Sequence, residues 1–321
     1  MDRTAARHSR AEYARRMNRV LDHIDRHLDA PLDLAALAEV AHFSPYHFHR
    51  LFAGWMRETL GDYLRRRRLE VGAHLLAQRP AMPVLEVALT VGFGSGEAFA
   101  RAFKLQFGVT PSAWRSDTPA RQAALLARVR QPQDSNPDQA SSKRDQAGPD
   151  GGGHDAGSCD EMENEMDVKL VELAPVKVAY LRYIGPYGPG IGVFWRETVG
   201  PWLRANGLEG RACYGIGLDD PSVTPPEKCR YDACVEIPDG FVPGGAALPA
   251  TLPGGRYAVT TFRGAPATIG AAWIELCGAW LPGSGLQYDA RPSFEYYAPE
   301  GRTDPVTGEF SCELCIPVKP L

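Results

Sequence analysis

The chain has 321 residues, 44% of them hydrophobic and 23% charged, which is the composition of a globular protein long enough for two cores. No apolar run is long enough to span a membrane, and the start Met1-Asp2-Arg3 lacks the apolar core of a signal peptide, so a cytoplasmic protein with reduced cysteines is expected. The net charge of -4 would argue against a nucleic-acid partner if it were evenly spread, but residues 1–117 hold 17 Lys and Arg against 13 Asp and Glu, with seven of the eight His.

From the N-terminus, one pattern occurs twice. Ala38, Phe43, Ser44, Phe48, Arg50 and Phe52 are echoed by Ala88, Phe93, Ser95, Phe99, Arg101 and Phe103. Each copy has the anatomy of a helix-turn-helix: an apolar helix (Leu34, Leu37, Ala38; Val84, Val87, Ala88), a tight turn at 41–43 or 91–93, and a serine placed to cap a second helix. The second helix buries Phe48, Leu51 and Phe52, or Phe99 and Phe103, at helical spacing, and leaves its other face free to read a DNA major groove. That face carries Ser44, Tyr46, His47, His49 and Arg50 in the first copy, which are donors suited to base edges. In the second it carries Ser95, Gly96, Glu97, Ala100, Arg101 and Lys104, better suited to phosphates.

These residues resemble the DNA-binding domain of the AraC/XylS family of transcription regulators, over about residues 12–117. Gly92-Phe93, Phe99, Arg101, Phe103-Lys104, Gly108, Thr110-Pro111 and Trp114-Arg115 fit the family signature. The resemblance implies an all-α double helix-turn-helix domain, with the units joined by a helix over 63–76 and two recognition helices in successive major grooves of one DNA face, so that a monomer can fill an asymmetric site. His42 and Arg57 stand where the second copy has Gly92 and Gly108; if those positions need a positive φ, they are strained. The run Arg65-Arg66-Arg67-Arg68 suggests a phosphate clamp, but four consecutive helical residues point all around the axis and at most two can face DNA; a solvated face with one internal ion pair is an equal reading.

After a short helical extension at 121–130, Gln131 to Glu165 is rich in Pro, Gln, Asp, Ser and Gly and poor in large apolar side chains. Such a segment cannot bury enough surface to offset chain entropy, and a flexible tether is expected over 118–165.

Residues 166–321 are β-rich and contain their own repeat. Gly185, Ile191, Trp195, Trp202 and Gly207 recur as Gly264, Ile269, Trp273, Trp280 and Gly285. Each half reads as strand, helix and two further strands, an α+β duplicated βαββ unit whose halves should pair about a pseudo-twofold axis and leave a groove between helices and sheet, where small molecules bind. The phrases Tyr183-Ile184-Gly185-Pro186-Tyr187, Cys229-Arg230-Tyr231-Asp232-Ala233-Cys234 and Glu313-Leu314-Cys315-Ile316-Pro317 resemble the GyrI-like effector-binding domain attached to some multidrug-sensing regulators. In relatives a strand glutamate among aromatic residues contacts lipophilic cations, and the resemblance places that role on Glu295 in Ser293-Phe294-Glu295-Tyr296-Tyr297. Strand periodicity puts Glu295 and Tyr297 on one face and Phe294 and Tyr296 on the other. Tyr183, Tyr187, Trp273 and Trp280 are candidate walls, and Glu313 is a second candidate acid, with Arg230 or Lys319 as alternative ion partners.

Cys312 and Cys315 lie three apart in an expected strand, on opposite faces, and therefore do not make a zinc site. No cofactor, metal or catalytic triad is expected. The combination reads as a one-component regulator that binds double-stranded DNA and a small-molecule effector, with RNA polymerase as a further partner, acting as a monomer or homodimer. The alternative is a C-terminal domain that hydrolyses a small molecule or sequesters a toxin through Glu295 or Glu313.

Overall fold

The computed structural model describes residues 3–130 and 166–321, apart from 302, 303, 305 and 306. The expected tether over 131–165 lies outside the described residues.

Among the described residues, seven helices form the N-terminal part: α1 (Arg3–Arg26), α2 (Leu34–Val40), α3 (Pro45–Met56), α4 (Leu60–Gln78), α5 (Val84–Thr90), α6 (Gly96–Phe107) and α7 (Pro111–Arg130). The serines cap as the sequence requires: the Ser44 hydroxyl accepts from the His47 amide, and the Ser95 hydroxyl from the Ala98 amide at 3.1 Å. Helix α4 serves two cores. Its start places Tyr63 among Met17, Leu21, Ile24, Leu37, Phe48 and Phe52, and its later turns place Leu69 and Leu76 against Val87, Phe99 and Phe103. The two helix-turn-helix units are therefore fastened to one rod, and the Trp114 indole of α7 locks onto it by donating to the Ala73 carbonyl at 3.1 Å.

Both suspect backbone positions of the first unit are left-handed, His42 at φ 55° and Arg57 at φ 54°, matching Gly92 at 84° and Gly108 at 76°. The second unit needs glycine at 92 for a further reason: a Cβ there would run into the Leu28 carbonyl and the Arg68 guanidinium.

The C-terminal part is one curled antiparallel sheet with two helical segments. Its strands are β1 (Lys169–Leu173), β2 (Val176–Ile184), β3 (Cys213–Gly217), β4 (Arg230–Glu236), β5 (Leu248–Leu252), β6 (Gly255–Gly264), β7 (Leu286–Tyr288), β8 (Phe294–Tyr297) and β9 (Phe310–Pro320). They run in the order β1-β6-β9-β8-β3-β4-β2-β5, with short β7 paired to β9. The duplication is visible in this order, because β5-β2-β4-β3 and β1-β6-β9-β8 are equivalent quartets meeting at β3 and β8. The first half contributes one strand more than the βαββ unit read from the sequence, and the second half two, counting short β7; the leading strands are exchanged, β1 pairing with β6 of the second half and β5 with β2 of the first. The exchange places β1 and β5 at the two outer edges of the joined sheet, where they cover β6 and β2. The helical segments are α8 (Pro189–Phe194) and α9 (Gly200–Ala205), joined by a π turn at Trp195–Val199, and α10 (Ile269–Glu275) and α11 (Leu281–Gly283), joined by a π turn at Leu276–Trp280.

The two parts are docked through buried charge. Arg230 on β4 reaches Asp25 of α1 at 2.6 Å and the Tyr63 hydroxyl of α4 at 3.2 Å. Arg67 of α4 meets Asp219, in the loop after β3, at 2.5 Å. Arg182 on β2 pairs with Asp22 of α1 at 2.9 Å, and Lys228 pairs with Glu58 at 3.4 Å and donates to the Met56 carbonyl. Leu126 of α7 packs at Gly278 in the second π turn. The four consecutive arginines divide accordingly. Arg65 is exposed beside Asp62, Arg66 and Arg67 are buried in ion pairs, and Arg68 donates to the carbonyls of Leu28 and Ala30. A clamp on phosphate is thus not what Arg66, Arg67 and Arg68 form, and two of the run, rather than one, sit in internal ion pairs.

Candidate functional site

The two recognition helices carry their apolar residues inward, Phe48 and Phe52 on α3 and Phe99 and Phe103 on α6, all fully buried. On the opposite faces His47, His49 and Arg50 are exposed on α3, and Glu97, Arg101 and Lys104 on α6. Ser44 and Ser95 cap the helix starts, where backbone N–H groups point outward and suit a phosphate. Gly96 packs against Leu85 of α5, which brings the two helices of the second unit close. The Tyr46 side chain lies outside the described residues. Each unit thus presents a short polar rod, and the two rods are held by α4 in a fixed relation.

The second site is assembled on the sheet where β3 and β8 meet. Glu295 of β8 is half-buried there and accepts three bonds, all from aromatic side chains: Tyr297 OH at 2.7 Å, Tyr231 OH at 3.2 Å and the Trp273 indole N–H at 3.3 Å. The Trp195 indole donates to the Tyr231 hydroxyl at 3.2 Å, and its ring lies 5.9 Å from that of Tyr297. Among the described residues no Lys or Arg forms an ion pair with Glu295. Burial pushes its carboxyl above the usual glutamate range, and the Tyr297, Trp273 and Tyr231 donors pull back only part of that rise. Gly215 on β3 lies directly opposite Glu295, and a Cβ there would strike both the Tyr231 hydroxyl and the Glu295 carboxylate. Only glycine lets the carboxylate and the phenol meet across that strand.

The sequence profile of a helix-turn-helix domain matches residues 37–117, and that of a GyrI-like small molecule binding domain matches residues 166–319. The regulatory protein SoxS of Escherichia coli is 37% identical over 92 residues, 29% of this chain and 85% of that protein. The chain belongs to the AraC/XylS family of transcription regulators. The transcriptional regulator Rob of Salmonella typhimurium is 25% identical over 307 residues, 92% of this chain and 95% of that protein, so both halves match in one relative. A DNA gyrase inhibitor of Edwardsiella piscicida is 30% identical over 158 residues, 48% of this chain and 99% of that protein, and matches the second half alone. The chain is an AraC-type DNA-binding regulator with a GyrI-like small-molecule-binding domain.

Within the GyrI-like domain of this regulator, the expected ligand residues separate. Tyr297 and Trp273 join Glu295, on the face that strand alternation predicts, while Phe294 and Tyr296 pack on the other face around Tyr214. Trp280 is half-buried in the core cluster that also holds Trp273 and Tyr297, without a bond to Glu295. Tyr183 donates to the Pro186 carbonyl at 3.3 Å and packs on Phe194. The Tyr187 hydroxyl is spent on backbone groups of Asp219 and Arg230. Glu313 is exposed and lies opposite Tyr296, on the face turned away from Glu295; Arg230 bonds Asp219 and Asp25 instead of it. Cys312 and Cys315 fall in different core clusters. Sequence reading missed Tyr231 and Trp195 as members of the site. The signal for Trp195 was its repeat partner Trp273, and for Tyr231 the alternation of charge and aromatic in Arg230-Tyr231-Asp232.

Among the described residues no helix is long and apolar enough to cross a membrane.

Proposed function

We propose that this regulator senses a bulky aromatic monocation at Glu295 and answers by changing its hold on promoter DNA. The observation that carries this reading is a half-buried carboxylate bonded by three aromatic donors and by no Lys or Arg among the described residues. A buried charge without a counter-charge is costly, and a ligand that brings one to a wall of π faces relieves the cost while burying its own apolar surface. Glu295, Tyr297, Trp273, Tyr231 and Trp195 are assigned to ligand contact, with Tyr183 and Trp280 further out. Glu313 is not.

On the DNA side, the reading assigns base contacts to His47, His49 and Arg50, and backbone contacts to Ser44, Ser95, Gly96, Arg101 and Lys104, with Glu97 disfavouring misplaced phosphates. Residues 12–117 then act as the DNA-binding unit and 166–321 as the effector unit. The regulator works in the cytoplasm, on an asymmetric site that one copy fills, with RNA polymerase as its downstream partner.

The test uses tetraphenylphosphonium as probe, titrated against the full chain by tryptophan fluorescence and followed by footprinting of the gene's own upstream DNA. Saturable binding that weakens at least about tenfold, or about 1.4 kcal/mol, in Glu295→Gln is expected. A footprint lost in Arg50→Ala and Arg101→Ala and altered by the probe is expected as well. Probe binding that Glu295→Gln leaves untouched would overturn the effector assignment.

A further inference from the structure

Tyr187 stands between the Glu295 site and the docked DNA-binding domain. Its ring meets that of Tyr231 edge-on, with centroids 6.5 Å apart, and Tyr231 is bonded to Glu295. Its hydroxyl donates to the Arg230 carbonyl at 2.6 Å and accepts from the Asp219 amide at 3.2 Å. These two backbone positions carry the side chains at the centre of the docking face: Asp219, which bonds Arg67, and Arg230, which bonds Asp25 and Tyr63. Strand β4 itself presents Tyr231 to the aromatic site and, on its other face, Arg230 to Asp25 of the other domain and Asp232 to Arg182, which in turn pairs with Asp22, as its period of two requires.

We infer that Tyr187 is the positioning residue through which occupancy at Glu295 is communicated to the docking face. A ligand that competes for Glu295 releases the Tyr231 hydroxyl, and the Tyr231 ring then shifts against Tyr187. The phenol of Tyr187 pins both ends of the loop between Asp219 and Arg230, so its displacement alters the angle at which Asp219 and Arg230 meet Arg67 and Asp25. Buried charge pairs tolerate little misalignment, so the interface responds by loosening rather than by gradual strain. Arg67 lies on α4, the rod that sets the spacing of both recognition helices, and loosening there is felt as changed affinity for DNA.

The inference rests on Glu295 being the effector site, and the experiment separates the two. Hydrogen–deuterium exchange of residues 60–78 is measured in the full chain for wild type, Tyr187→Phe, Glu295→Gln and the double variant, with and without tetraphenylphosphonium, while probe affinity is read by fluorescence. Tyr187→Phe keeps the ring and removes the hydroxyl. Unchanged probe affinity in Tyr187→Phe is expected, together with loss of the probe-induced change in exchange, which in wild type should be about fivefold or more. Without probe, Glu295→Gln should change exchange over 60–78 when Tyr187 is in place and leave it unchanged in the Tyr187→Phe background, a readout that holds even if this probe does not bind. An equal response in wild type and Tyr187→Phe overturns the inference. Loss of probe affinity in Tyr187→Phe also overturns it, since Tyr187 is then a wall of the site, as does a Glu295→Gln effect that is the same in both backgrounds.

Discussion

Arg230 and Asp219 form a buried two-pronged pair inside the GyrI-like domain, at 2.8 and 2.9 Å, and both of them also bond across to the DNA-binding domain. Asp219 supplies the same oxygen to Arg230 and to Arg67, while Asp25 sits between Arg67 and Arg230. The four side chains therefore form a closed ring of alternating charge, two from each domain. A ring of this kind contributes little net energy compared with an apolar contact, but it fixes which surfaces meet and in which register.

Breaking the ring from one side is accordingly expected to be severe. Arg67→Ala leaves Asp219 and Asp25 sharing one arginine in a poorly hydrated place, and should cost about 3–5 kcal/mol of interdomain stability. Urea unfolding followed by tryptophan fluorescence should change from one transition to two, as the domains melt separately. A single transition with an unmoved midpoint would show that docking does not depend on the ring.

The same ring predicts acid sensitivity. Burial raises the Asp25 carboxyl, but Arg230 and Arg67 outweigh that and hold it well below the ordinary aspartate value of 3.8; Asp219 is likewise lowered, with burial again opposed by Arg230 and Arg67. A carboxylate whose folded value is depressed adds stability that is fully present above its unfolded value and is lost as pH falls through the folded one. Asp232 works with the opposite sign, because burial raises it despite Arg182. With Asp25 and Asp219 both on the depressed side, docking should keep its full strength from neutrality down to about pH 4 and weaken progressively below that, as pH falls toward their depressed folded values. Small-angle scattering in moderate urea, stepped from neutrality down to about pH 2, checks this, and domains that separate no more easily at the acid end than at neutrality contradict it.

Much of this was legible in the residues, for physical reasons that also explain the gaps. The capping serines, the buried Phe pairs and the left-handed turns at 42 and 57 are local: each follows from neighbours a few positions away, and the internal repeat exposes them twice. The facing of Glu295 with Tyr297 follows from strand alternation alone. The docking ring joins Asp25 to Arg230 across 205 positions and Arg67 to Asp219 across 152, and charged side chains buried by a partner domain obey no apolar periodicity. On α4, Arg66 and Arg67 look like solvated residues until the surface they meet is known. The exchange of β1 and β5 between halves was invisible for a related reason, since an edge strand reads the same whichever edge it covers.

The first unit's turn offers a stability test. Arg57 ends α3 at φ 54°, where glycine avoids the clash between Cβ and backbone that every other residue meets. Arg57→Gly should stabilise the chain by about 0.5–1 kcal/mol, because relief of the left-handed strain exceeds the added freedom of the unfolded chain. A thermal melt at fixed pH reads it, and a lowered midpoint would mean that the Arg57 side chain makes a contact worth more than the strain.

Gly215→Ala isolates the aromatic site from the rest of the sheet. The added methyl points from β3 at the Tyr231 hydroxyl and the Glu295 carboxylate, while the strand's own pairing to β4 and β8 is unaffected by a side chain. Probe affinity should fall by about tenfold or more with the chain still folded, since displacing the Tyr231 phenol and the carboxylate tilts both away from the indoles. Retained affinity in a folded Gly215→Ala chain would place the ligand elsewhere.

The raised pKa of Glu295 gives the last prediction its sign. Burial makes the carboxyl hold its proton more readily than a free glutamate with its value of 4.5, and only the ionised form attracts a cation. Affinity for tetraphenylphosphonium should therefore be highest at neutral to alkaline pH and decline as pH falls, with the decline beginning above 4.5. The ligand-free chain shows the mirror image. A carboxyl raised on folding destabilises the folded state progressively as pH climbs past the unfolded value, so Glu295→Gln should melt at or above the wild-type temperature at pH 7 while losing most of its affinity. Isothermal titration and melting curves at several pH values test both halves of the claim. A Glu295→Gln chain that melts well below wild type, with affinity for the cation independent of pH, would show that the carboxylate is held for structure and not for a charged guest.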